Sequence, residues 1–294
     1  MTDNIQIYKS SRIGTRPTNE DTEEYETNLY VNDQTKCHAY NPDHAPVDVF
    51  IICDGHGGHE VSKFVAPELR RQFMNKNLKY PLTQDVIYKI FNKIQQFLVN
   101  HPKKIANACG CTALVLVRYL DYKKLQHIQI INLGDSRAVL SRRGIAIPLT
   151  KDHKPFWSDE KKRIDTVNER TGINRQICFD SGDWRIGDLS VSRSFGDLDN
   201  TPHVTHFPEL FNYQLLPADG FIVMACDGVW DVLQNHEVVN FVRDFLTKNH
   251  TEFYKISRCA NGPTDINNIA QRLADYAITR GSTDNVSVII IVFK

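Results

Sequence analysis

The sequence predicts an α+β fold of mainly antiparallel sheets with helices packed outside them. Ile- and Val-rich runs and helical periodicities come in blocks, not in the strict alternation of a doubly wound parallel sheet. Several of the apolar runs also end abruptly in an aspartate at a turn, as strands do when they reach the rim of a sheet.

The first strong strand is predicted over about 47–53, and its run Val49-Phe50-Ile51-Ile52-Cys53 meets Asp54-Gly55-His56-Gly57-Gly58-His59. Apolar residues then recur at spacings of three and four, at Val61, Phe64, Val65, Leu69 and Phe73, giving a helix with one apolar face. A second helix follows Thr83 as N-cap, with Val86, Ile90, Phe91, Ile94, Phe97 and Leu98 on one side and His101-Pro102 as its stop. The two read as an antiparallel pair. Strands are expected at about 112–118, 127–133 and 136–141, with Gly134-Asp135-Ser136-Arg137 as a tight hairpin between the last two.

Residues 151–187 are polar, carry little periodicity and read as a long flap-like excursion over the active face. A strand at about 221–226 delivers Asp227-Gly228-Val229-Trp230-Asp231, and Asp284-Asn285 opens a last strand at about 286–293. Between them, helices are predicted at about 236–247 (Val239, Val242, Leu246) and about 265–279 (Ile269, Leu273, Tyr276), with Gly281 as the final stop. No stretch resembles a linker, so residues 1–294 read as one domain.

Bulk properties narrow the function. Lys plus Arg equals Asp plus Glu at 35 each, so no global basic field attracts nucleic acid, and none is expected as a partner. The 7 cysteines form no C-x-x-C pair, and Cys53 and Cys226 sit inside apolar runs, which suits reduced thiols and an intracellular protein in cytosol or nucleus. No apolar run approaches the roughly 20 residues that span a bilayer, and Met1-Thr2-Asp3 opens neither a signal peptide nor a myristoylation pattern. A monomer is the expectation, since no coiled-coil pattern appears.

Chemistry concentrates at the aspartates. Asp54, Asp135, Asp227 and Asp284 each stand where an apolar run meets a turn, and carboxylates gathered from distant segments repel unless cations neutralise them. Oxygen-only ligands suit Mg²⁺ or Mn²⁺ over soft metals. Glycines after Asp54 let backbone approach a ligand closely, so a carbonyl can join the carboxylate. His56 and His59 could instead serve zinc, but neither an H-E-x-x-H pattern nor a cysteine partner accompanies them. Each motif also has an ordinary reading. Asp231 caps a following helix, Asp284-Asn285 forms an Asx turn, and Arg16, Glu20 and Asp21 form a solvated face.

Their order is what discriminates. Gly14-x-Arg16 with Asn19-Glu20-Asp21, Asp54-Gly55-His56-Gly57-Gly58, Gly110-Cys111-Thr112-Ala113, Asn132-x-Gly134-Asp135-Ser136-Arg137-Ala138, Leu189 to Asp197, Asp227-Gly228-Val229-Trp230-Asp231 and Ser282-Thr283-Asp284-Asn285-Val286 closely resemble the motif series of the metal-dependent type 2C protein serine/threonine phosphatases. The likeness runs from about residue 14 to 293. It implies a central sandwich of two antiparallel sheets flanked by helix pairs, with two divalent cations, Mg²⁺ or Mn²⁺, at one end.

By that resemblance Asp54 bridges both metals, the Gly55 carbonyl joins one, and Asp227 and Asp284 bind the other. Glu20 acts through metal-bound water with Asp21 in support, and Asp135 and Asp231 with Asp227 hold a weaker third cation. Arg16 would grip the phosphate of a phosphoprotein, and His56 would protonate the departing serine or threonine alkoxide. A metal-activated water would attack phosphorus in line without a phosphoenzyme. The alternative is a pseudophosphatase that binds without turnover. Two departures stand out: Cys111 replaces the usual serine, and Arg163-Ile164 is not followed by Ala-Gly-Gly.

Overall fold

The computed structural model describes residues 5–28, 47–101, 103–247 and 267–293. The chain begins with β1 (Ile5–Arg12), β2 (Thr22–Thr27), β3 (Asp48–Cys53), a short β4 (Gly55–His56), then α1 (Glu60–Phe73) and α2 (Gln84–Val99). It continues through β5 (Gly110–Cys111), β6 (Ala113–Leu120), β7 (Gln126–Leu133), β8 (Arg137–Arg142) and β9 (Ile145–Pro148). Next come α3 (Ser158–Thr171), β10 (Ile177–Asp180), β11 (Asp183–Ile186), β12 (Phe195–Gly196), β13 (Glu209–Gln214) and β14 (Asp219–Ala225). The last elements are α4 (Asp227–Trp230), α5 (Asn235–Thr247), α6 (Ile269–Thr279) and β15 (Val286–Phe293).

Two five-stranded sheets, ordered β1-β15-β14-β8-β9 and β13-β7-β6-β3-β2, form the sandwich, with antiparallel pairing throughout. The α+β reading holds. Alternation along each strand sets the layers. Phe50, Ile52, Leu114, Leu116, Ile128 and Ile130 of one sheet meet Ala138, Leu140, Ile222, Met224, Ile289 and Ile291 of the other in the central core. On the outer faces, Val49, Ile51, Val115 and Val117 pack under α1 and α2, while Val139, Val223, Val288 and Ile290 pack under α5 and α6. Central strands are therefore buried on both faces, which is why they read as continuous apolar runs.

The helices follow their predicted faces with local differences. Thr83 caps α2 by accepting from the Val86 N–H, while the predicted stop at Pro102 lies outside the described residues. Phe97 and Leu246 point outward, at 53% and 40% exposure, and Phe97 stacks on Phe64 at 4.5 Å. The predicted start of the last helix, 265–266, lies outside the described residues; α6 begins at Ile269, where Asn268 accepts from the Ala270 and Gln271 N–H groups.

One expectation needs correction, and one segment holds more than its sequence shows. Gly134–Arg137 is no hairpin: β7 belongs to one sheet and β8 to the other, so the chain crosses the sandwich there. Periodicity shows where strands lie but not which neighbour each one finds. The excursion at 151–187 also has structure of its own, α3 and the β10–β11 hairpin. Only Glu160, Ile164 and Val167 of α3 are buried, too few apolar positions for its period to show in the sequence.

Candidate metal centre

The ends of β3, β7 and β14 and the starts of β8 and β15 meet at one end of the sandwich, and the aspartates sit there. Asp54, Asp135 and Asp227 bring carboxylate oxygens within 4.8 Å of one another, and carboxylate oxygens of Asp21 and Asp54 lie as close to each other and to the Cys226 Sγ. Three of the residues read as ligands thus converge from segments about 80 and 90 residues apart.

The Asp-Gly step is used twice for the same steric reason. A Cβ on Gly55 would sit 2.2 Å from the Glu20 carbonyl oxygen, and one on Gly228 would sit 2.1 Å from that of Asn285. Each glycine lets a neighbouring backbone press against the strand end that carries the aspartate. Thr112 fixes Asp54 from below: its Oγ1 accepts from the Asp54 N–H at 3.1 Å, and its N–H donates to the Asp54 carbonyl at 2.8 Å. Asn285 plays the matching part for the N-terminal loop. Its Nδ2 donates to the Ile13 and Thr18 carbonyls at 2.9 and 3.0 Å, and its Oδ1 accepts from the Glu20 N–H at 2.8 Å.

That loop carries three of the predicted residues. Arg16 is 53% exposed and its Nη2 donates to Asp284 Oδ2 at 2.6 Å. Glu20 turns its backbone inward, where its carbonyl accepts from Ser62 Oγ, and its carboxylate accepts from Thr18 Oγ1 at 3.4 Å. Asp21 is no solvated residue. It is 7% exposed, and among the described residues no side chain or backbone group stands at hydrogen-bond geometry to either buried carboxylate oxygen. Asp284 Oδ1 accepts from the N–H of the next residue, Asn285, at 2.7 Å, a bond one residue on where the expected Asx turn would bond two residues on. Asp227 opens α4, and Asp231 ends it by donating its N–H to the Asp227 carbonyl at 2.9 Å, so the helical turn sets both on one side.

Electrostatics mark the cluster as short of positive charge. Burial, then the charges of Asp227, Asp21 and Asp135, push Asp54 well above the usual carboxylate range; burial and Asp135 do the same to Asp227. Asp21 and Asp231 are each pushed up to about 6, in both cases chiefly by loss of solvent. Orphaned carboxylate oxygens and mutually raised acids, all oxygen donors, fit hard divalent cations.

Several site residues were not singled out in the sequence. Lys154 Nζ lies 2.6 Å from Asp135 Oδ2 and 3.6 Å from Asp183 Oδ2 of β11. Burial opposes its charge, but Asp135 outweighs this and holds the amine well above the ordinary lysine range. Asp197, 1% exposed and at φ 48°, accepts from Ser194 Oγ and lies 2.7 Å from His56 Nε2 through the same Oδ2. Burial works to lower the His56 pKa, and the bond and charge of Asp197 more than reverse it, so the net shift is upward. Gly110 makes room: a Cβ there would sit 2.2 Å from Asp197 Oδ2 and 2.6 Å from His56 Nε2. Only the position of Asp197 at the end of the Leu189–Asp197 motif hinted at it.

Comparison with known proteins points to one family. The family model "Protein phosphatase 2C" matches residues 14–286. A PP2C-like domain-containing protein of Acanthamoeba polyphaga mimivirus is 65% identical over 177 residues, covering 60% of this chain and 99% of that protein. "Probable protein phosphatase 2C 11" of Arabidopsis thaliana is 31% identical over 84% of this chain, which spans only 59% of that relative's length. A crystal structure of a phosphatase from Toxoplasma gondii superposes with a TM-score of 0.75 at 20% identity, over 99% of this chain and 93% of that one, a likeness of fold. With a family model spanning nearly all of it, the chain belongs to the protein phosphatase 2C family.

Proposed function

We propose that this chain hydrolyses phosphoserine and phosphothreonine in proteins, using Mg²⁺ or Mn²⁺ held by Asp54, Asp227, Asp284 and the Gly55 carbonyl, with Glu20, Asp21, Asp135 and Asp231 around them. The observation that carries this is the convergence of Asp54, Asp135 and Asp227 within 4.8 Å at a rim where Arg16 and His56 also lie. Divalent cations bound there supply the charge and Lewis acidity that make water the nucleophile for in-line attack, so the route needs no phosphoenzyme.

The protein's own groups do the rest. Arg16, exposed and tethered among the described residues at Asp284, offers its remaining donors to phosphate oxygens. Burial works against the charge of His56, but the bond and charge of the facing Asp197 raise its pKa overall, and an acid so favoured can protonate the poor leaving alkoxide. Completeness of this set argues against the alternative of a silent binding module.

Cys53, Cys109, Cys111 and Cys226 are buried free thiols, which supports an intracellular setting in cytosol or nucleus. Among the described residues no helix is long and apolar enough to cross a membrane. We take the active species to be a monomer.

The test is phosphate release from a phosphothreonine peptide with Mn²⁺, with Mg²⁺ and with excess chelator. Release that needs metal and vanishes in Asp54→Asn is expected; a folded protein with no release under either metal would point to the binding module.

A further inference from the structure

Lys154 brings the cluster a positive charge of its own. Its side chain is 12% exposed, and its ammonium sits 2.6 Å from Asp135, whose carboxylate is 2% exposed and shares the 4.8 Å group with Asp54 and Asp227. The lysine is delivered there by a fixed backbone. The preceding His153 donates its N–H to the Gly134 carbonyl at 2.9 Å and accepts from the Gly134 N–H through Nδ1 at 3.1 Å. Its carbonyl accepts from Ser192 N–H and Oγ at 2.9 and 3.0 Å. A second acceptor waits beside the ammonium: Asp183 of β11, 3.6 Å away and 36% exposed. An ammonium and a divalent ion on the same carboxylate repel strongly in so dry a place.

We propose that Lys154 is the resident cation on the Asp135 side of the cluster, so that a divalent ion engages Asp135 and Asp231 only by displacing the ammonium toward Asp183. This rests on the metal-dependent reading above. It makes Lys154 a positioning residue that sets how many ions the centre holds. It also makes the β10–β11 hairpin, through Asp183, respond to an extra ion.

Equilibrium dialysis with Mn²⁺ at fixed ionic strength tests it without any assay of turnover. Lys154→Met is expected to bind one more Mn²⁺ per chain than the parent at the same free concentration. Equivalently, its last ion binds about tenfold tighter or more. The double variant with Asp135→Asn is expected to lose that gain. Equal stoichiometry and affinity in parent and Lys154→Met would overturn the displacement and leave the other bound ions standing; a parent that binds no Mn²⁺ would overturn the metal reading as well. If Lys154→Met does not fold, Asp183→Asn gives the second arm. Without its alternative acceptor the ammonium stays on Asp135, and the last ion is expected to bind more weakly than in the parent. An unchanged last ion would count against the idea.

Discussion

Consecutive residues His153 and Lys154 face two buried charge clusters of opposite balance. On one side, Glu160 is held by Arg193 and by Arg163, with Nη2 to carboxylate distances of 2.5 and 3.0 Å, and Glu209 lies 3.6 Å from Arg193. His153 Nε2 sits 3.4 Å from Glu209. On the other side, Asp21, Asp54, Asp135 and Asp227 crowd together, and Lys154 Nζ lies 2.6 Å from Asp135. The two clusters shift their acids in opposite directions. Burial would raise Glu160, but Arg193 and Arg163 bring it down to about 2, while Asp54 and Asp227 are driven far up. A balanced cluster is a clamp that needs nothing further; an unbalanced one calls for ions from solution.

The comparison can be broken at its extremes. The largest effect is expected in the unbalanced cluster: Asp54→Asn should lower phosphopeptide turnover by about 10³-fold or more and weaken Mn²⁺ binding by calorimetry. Normal turnover there would end the metal-site reading. His56→Ala should cost about 10²-fold on a phosphoserine peptide but much less on an aryl phosphate, whose leaving group needs little protonation. Equal losses on both substrates would remove His56 from the acid role.

In the balanced cluster the loss should appear in stability. Glu160→Ala removes the main carboxylate of two partly buried guanidinium groups, which keep the Ser192 and Phe207 carbonyls, and should cost about 1.5–3 kcal/mol in urea unfolding at neutral pH. The sign with pH is set by the downward shift. Because the folded Glu160 titrates near 2 and an ordinary glutamate at 4.5, its contribution is full above 4.5 and drains away as pH falls toward 2. Parent and variant should therefore converge in that acid range, and a gap that persists there would refute the assignment. Smallest of all, Asp159→Asn breaks an exposed pair with Lys151, whose partners are 67% and 46% exposed, and should leave the melting curve where it was.

Much of this was legible in the sequence, for particular reasons. Asp54 and Asp227 stood out because an apolar run ended in Asp-Gly, a local signal with a local cause. The outer helices were legible because α1, α2, α5 and α6 each bury one regular face. Asp197 was not, since its partner His56 lies 141 residues away and nothing near Asp197 announces a histidine. Lys154 looked like any surface lysine until the crossing at Gly134 brought Asp135 beside it. The strand segments β1, β2 and β13 escaped notice because they mix polar with apolar residues and are at most half-buried. The motif Gly110-Cys111-Thr112-Ala113 was seen, but its purpose, Thr112 pinning Asp54, appears only in three dimensions.

The place where Asp54 and Asp227 meet has a mechanical meaning. Asp54 continues β3 of one sheet and Asp227 continues β14 of the other, so ions shared between them would clasp the two sheets at a single end. Stripping the ions would unfasten that end first, while the opposite end, around Asp48 and Arg142, stayed shut. Amide exchange at Cys53 and Ala225 would then fall as metal binds and rise as it is stripped, and the proposed metal end of the sandwich would serve as its latch.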